Sequence, residues 1–102
     1  MIVAVPPTPP ARVQVVAREF SFALSRLTVK AGPAIVELAN FGEDAHDLRM
    51  QRVGGTRVYV WPVAQSGAVE DKSMRLLRGR YRLWCSIANH RALGMTAVLV
   101  VK

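Results

Sequence analysis

Apolar and polar residues alternate along most of this chain, and short clusters of turn-forming residues interrupt the alternation. Val13, Val15 and Ala17 alternate with Arg12, Gln14 and Arg18, with Val16 as an interruption. Phe20, Phe22 and Leu24 continue the rhythm, then Leu27 and Val29 lead to an Ala31-Gly32-Pro33 turn. Residues 34–39 (AIVELA) read as a strand that stops at Asn40-Phe41-Gly42. Further strands are read at 46–50, 57–63 and 73–77, with a Gly54-Gly55 turn after the first and an irregular, polar middle between the last two. Arg78-Gly79 turns the chain into a strand at 80–85, and residues 96–101 (TAVLVV) form the last one. Helical periodicity is weak throughout. The pattern predicts an all-β fold, an antiparallel Greek-key sandwich or barrel of about seven to eight strands.

The first ten residues, MIVAVPPTPP, stand outside this rhythm. Pro-Pro-Thr-Pro-Pro favours extended polyproline geometry, so residues 1–10 read as a semi-rigid extension and residues 11–102 as one domain. Residues 1–5 are apolar but short, with no basic residue before them, and do not make a complete signal peptide. A spacer of this kind suggests that the natural protein continues upstream into a membrane tether, a signal or another domain. No apolar run reaches the roughly eighteen residues that a membrane span needs.

Charge changes the picture next. The net charge is +7, from eleven Arg and three Lys against seven acids. Such a balance first suggests nucleic acid, but the arginines are scattered, so no nucleic-acid partner is expected. Arg78, Arg80 and Arg82 alternate along a predicted strand and therefore share a face. A solvated strand face is the plainer reading of that stripe. The functional one is a docking patch for an acidic partner or an anionic membrane.

The chemistry concentrates near the C-terminal end. Cys85, the only cysteine, is followed by His90 and Met95 in a C-x4-H-x4-M run. A lone cysteine excludes an internal disulfide, and an unpaired thiol in an oxidising compartment calls for burial or a metal. Thiolate and thioether are soft donors that hold Cu(I), and imidazole suits both copper oxidation states, so the run carries the donor set of a mononuclear copper site. Zinc would accept Cys and His, but a methionine argues for a softer metal. The other histidine, His46, is the candidate for the remaining strong ligand.

The segment 81–100, with the region 29–47 upstream, resembles the blue copper proteins of the cupredoxin family in ligand order, spacing and flanking strands. The resemblance covers nearly all of residues 13–101. It implies one mononuclear type 1 copper ion (Cu), with His46, Cys85 and His90 as strong equatorial ligands and Met95 as a long axial one. Asp47 and Ser86 become candidates to bridge the two ligand loops, and Asn40 to cap a turn before the first. The family commonly has Asn where this chain has Asp47. Trp84, on the opposite strand face from Cys85, reads as a packing residue rather than an electron route.

The function implied is electron transfer by Cu(II)/Cu(I) cycling, not enzymatic catalysis. One cysteine is too few for a dinuclear copper centre, and two histidines are too few for the catalytic copper oxidases and reductases. A copper carrier or sensor, or a metal-free interaction domain on the same scaffold, are the alternatives. His90 is expected to present its outer ring edge, within a docking surface formed with Arg91, Ala92, Leu93 and Gly94. The expected partners are redox proteins with acidic docking surfaces, the protein a monomer, and its location extracytoplasmic (periplasmic or cell-surface).

Overall fold

The computed structural model describes residues 9–102, so most of the Pro-rich extension read at 1–10 lies outside the described residues. Nine strands follow one another: β1 (Ala11–Arg18), β2 (Ser21–Leu24), β3 (Thr28–Val29), β4 (Gly32–Asn40), β5 (Arg49–Arg52), β6 (Val58–Val60), β7 (Val69–Leu76), β8 (Gly79–Trp84) and β9 (Thr96–Val101). They form a four-stranded sheet in the order β2-β1-β4-β7 and a five-stranded sheet in the order β3-β9-β8-β5-β6. No helix occurs among the described residues.

The alternation read from the sequence is the device that closes the sandwich. Val13, Val15 and Ala17 of β1 and Ala34, Val36 and Leu38 of β4 are buried, as are Tyr81 and Leu83 of β8 and Leu99 and Val101 of β9. These rows meet in one core with Leu48, Met50, Trp61 and Leu76. Burying each such Leu or Val stabilises the fold by about 1.5–3 kcal/mol. Trp61 is the largest fully buried side chain and donates its indole N–H to the Val36 carbonyl at 3.0 Å, so its one polar atom is satisfied.

Three expectations need correction. The sheets are mixed rather than antiparallel, because β1 pairs parallel with β4 and β3 parallel with β9. Residues 57–63 yield only β6 (Val58–Val60), since Trp61 leaves the sheet for the core and Pro62 has no N–H to donate. In the opposite sense, β7 begins at Val69, four residues before the predicted start at 73, and joins β4 as a strand at the sheet edge.

Register decides where the loops emerge. Arg49 stands opposite Trp84, and Trp84 opposite Thr96, so the loop entering β5 and the loop joining β8 to β9 leave the sandwich side by side. In the other sheet Ala17 lies beside Asn40, so the turn after β1 and the loop after β4 leave at matching heights.

Candidate metal centre

Strand parity aims the cysteine. Tyr81 and Leu83 point into the core, and Cys85, next in that row, is fully buried at the end of the sandwich. Its backbone N–H donates to the Met95 carbonyl at 3.2 Å, which closes the loop between β8 and β9 at its base. Inside the loop the His90 carbonyl accepts from the N–H groups of Leu93 and Met95, both at 3.1 Å. Gly94 holds φ +123°, and a Cβ there would lie 3.1 Å from the Phe20 carbonyl oxygen. Glycine therefore serves both the turn and the close approach of a neighbouring segment.

His46 arrives from the loop between β4 and β5. It exchanges two backbone hydrogen bonds with Ala64, at 3.1 and 2.8 Å, which pins that loop to the segment after β6. Asn40, fully buried at the end of β4, organises the same loop. Its Nδ2 donates to the carbonyls of Asp44 (2.8 Å) and Ala64 (2.9 Å), and its Oδ1 accepts from the Gly42 N–H (2.9 Å).

One ligand atom from each of His46, Cys85 and His90 lies within 4.8 Å of the others, and all three residues are buried. Cys85 Sγ is 3.7 Å from His90 Nδ1. Donors bound about 2.0–2.3 Å from one ion, at trigonal angles, stand about 3.6 Å apart, a spacing that the Cys85–His90 pair matches. His46 Nδ1 is buried and has no hydrogen-bond partner among the described residues. An orphaned buried acceptor costs about 1–3 kcal/mol, a loss that a bound metal would reverse. The trio of thiolate and two imidazoles, with Met95 fully buried at the same loop, fits copper.

The outer nitrogen of His46 is also explained. Glu19 Oε1 stands 3.3 Å from His46 Nε2, and the same oxygen accepts the Asp44 N–H at 2.5 Å. That backbone hydrogen bond is the main cause that lowers the Glu19 pKa and keeps it a carboxylate. With a proton on Nε2 donated to Glu19, Nδ1 keeps its lone pair for a metal. A Cβ on Gly42 would lie 2.5 Å from Glu19 Oε2, so the glycine leaves the room that this carboxylate fills.

Asp47 and Ser86 meet across the two ligand loops. Asp47 Oδ1 accepts the Ser86 N–H at 2.6 Å, and Oδ2 accepts the Ser86 hydroxyl. Arg49 Nε lies 3.8 Å from the same carboxylate. Burial is the leading cause that pushes the Cys85 thiol above its ordinary pKa, so metal binding there must expel a proton.

The expectation of an exposed His90 edge is corrected. His90 is only 7% exposed, because the Phe20 ring lies against it at 4.8 Å and Asp44 Oδ2 stands 3.9 Å from its Nε2. The rest of that expected surface, Arg91 to Gly94, is exposed, and Leu93 is 50% exposed. Sequence reasoning missed Glu19, Phe20 and Asp44. Glu19 and Phe20 carry no spacing signal, since β1 and its turn bring them to His46 and His90 only in the fold. Asp44, two residues from His46, was open to a reading as a neighbour of the ligand loop.

No protein-family model and no curated protein matches the chain. Solved structures do. Auracyanin A from Chloroflexus aurantiacus, titled a "blue" copper protein, superposes with TM-score 0.73 at 14% identity, covering 92% of this chain and 100% of that one. Reduced auracyanin from Roseiflexus castenholzii gives 0.73 at 14% identity, with coverage of 93% and 99%. A purple cupredoxin from Nitrosopumilus maritimus gives 0.62 at 17%, with coverage of 87% and 98%. The chain therefore has the cupredoxin β-sandwich fold, and the resemblance read from residues 29–47 and 81–100 holds at the level of fold.

Proposed function

We propose that this protein is a type 1 copper electron carrier, with His46, Cys85, His90 and Met95 holding one copper ion. The observation that carries the reading is the unpartnered, buried Nδ1 of His46 beside Cys85 Sγ and His90 Nδ1. Copper bound there supplies a one-electron Cu(II)/Cu(I) couple. The residues around it hold their positions. Cys85 stays tied to Met95 through its backbone, Asp47 locks the two ligand loops together through Ser86, and Glu19 orients His46. Donors fixed in this way shift little when the charge of the centre changes, which fast electron transfer requires. Phe20, packed against the His90 ring, helps to keep water from the buried donors.

The partner is a redox protein with an acidic docking surface, and Ala92, Leu93 and Gly94 with Arg91 form a small contact patch beside His90. Weak electron-transfer encounters need only small interfaces. An extracytoplasmic location suits a lone copper-binding thiol. The alternative of a carrier that hands over metal is opposed by the burial of all three donors, because transfer needs an accessible ligand.

Addition of Cu(II) to the metal-free protein, followed by an absorption spectrum, tests the reading. An intense visible thiolate-to-copper band is expected, and its absence overturns it. Reversible voltammetry without metal loss then separates an electron carrier from a metal carrier, which would release copper rapidly to a chelator.

A further inference from the structure

The charge of this molecule is sorted by sheet. The seven acids fall on β4 and β7 of the four-stranded sheet (Glu37, Glu70, Asp71) or in the loops at the metal end (Glu19, Glu43, Asp44, Asp47). Strands β3, β5, β6, β8 and β9 contain no acid, and every cation in them is an arginine. Arg80 and Arg82 project outward from β8, both exposed and without an ion pair among the described residues. Arg49 flanks them on β5, its guanidinium near only the Asp47 carboxylate that Ser86 already occupies.

The arginines surround an aromatic. Trp84, outward-facing between Arg49 and Thr96 in the register, carries the Arg91 guanidinium 4.8 Å from its ring. Beside it, Arg82 and Arg91 line a notch of about 180 Å3 with Thr96 and Val98. Val98 and, beyond β5, Val60 are exposed by 47% and 44% on the same sheet. Arg82 and Arg91, neither in an ion pair among the described residues, place two guanidinium groups at the rim of a small notch, suited to one inserted carboxylate, which Arg binds in a planar, two-pronged fashion.

We propose that the outer face of the five-stranded sheet, centred on Arg82, Trp84 and Arg91, is the docking surface for an acidic protein. Its composition separates a protein from a lipid surface. Arg and Trp are enriched at protein interfaces and Lys is depleted, whereas a headgroup layer is served equally by Lys. The face also joins the contact patch beside His90 through Arg91, so a protein bound here is continuous with the end of the molecule that holds the metal donors. The proposal deepens the electron-carrier reading, and rests on it only for the partner's being a redox protein.

The test is a nuclear magnetic resonance titration of the whole chain, metal-free and copper-loaded, with a short poly-L-glutamate peptide as the probe. Amide shifts are expected to concentrate on β8, the start of β9 and Arg91. Arg82→Glu and Arg91→Glu should each weaken binding roughly tenfold, and Arg12→Glu or Arg26→Glu less than about twofold. Equal losses from both pairs overturn the proposal. So does cosedimentation with phosphatidylglycerol vesicles that is lost in Arg82→Glu while peptide binding is not. The absence of a copper band in the wild type would sink the electron-carrier reading and leave this measurement standing.

Discussion

Glu19 shows how a residue without any chemical signal of its own becomes part of a site. It belongs to the turn after β1, yet its carboxylate reaches His46 Nε2 at 3.3 Å, because β1 and β4 run parallel and end together. Outer-shell partners of metal-binding histidines set the tautomer and the basicity of the ring. Glu19→Gln should therefore lower copper affinity by roughly 10- to 100-fold in a chelator competition, and an unchanged affinity would make Glu19 a bystander. Gly42→Ala should act in the same direction by displacing the carboxylate. Asp47 offers a second residue-scale test, since it accepts two hydrogen bonds from Ser86 while almost fully buried. Asp47→Ala should cost the metal-free protein about 1.5–3 kcal/mol in urea unfolding, and Asp47→Asn, which can still accept the Ser86 N–H, clearly less. The cluster of His46, Cys85 and His90 was legible in the sequence because thiol and imidazole are scarce in this chain. Glu19 was not, because only the sheet brings it to His46.

Among the strands, legibility followed how completely each is buried on one face. β9 emerges with the bounds read from TAVLVV, since an apolar run between Met95 and Lys102 admits little else. β7 was half missed because VEDKSMRL lies at a sheet edge, where polar residues on both faces blur the period of two. Strand direction was not legible at all, for alternation is the same in a parallel and an antiparallel pair. β7 also holds a like-charge pair, Asp71 opposite Glu37 of β4. Burial and Glu37 raise the Asp71 pKa. A carboxyl raised in the fold adds stability below its unfolded range, and that contribution is lost as pH rises through the folded value. Asp71→Asn should thus stabilise at neutral pH, by a few tenths of a kcal/mol, with the gain gone near pH 3 in thermal unfolding followed across pH. Trp61→Phe tests the other sheet contact. A phenyl ring keeps much of the apolar volume but the Val36 carbonyl loses the indole donor, so a loss of about 1–3 kcal/mol is expected in denaturant unfolding.

For the molecule as a whole, the net charge of +7 and its exclusion of acids from one sheet predict association that weakens with salt. Leu93→Asp should slow electron exchange with an acidic redox protein while leaving the copper spectrum unchanged, and equal rates in stopped-flow mixing would discard the patch beside His90. The parallel pairing of β3 with β9 has a consequence in time as well as in space. Thr28–Val29 leaves the ribosome well before its neighbour in the sheet, Thr96–Val101. Contacts this distant in sequence form late and set a slow pace for folding. Until the chain has been made through Met95, Cys85 has no closed loop around it and no carbonyl for its N–H. The growing chain thus carries Cys85 as a free thiol before the loop that brings it to His90 has closed.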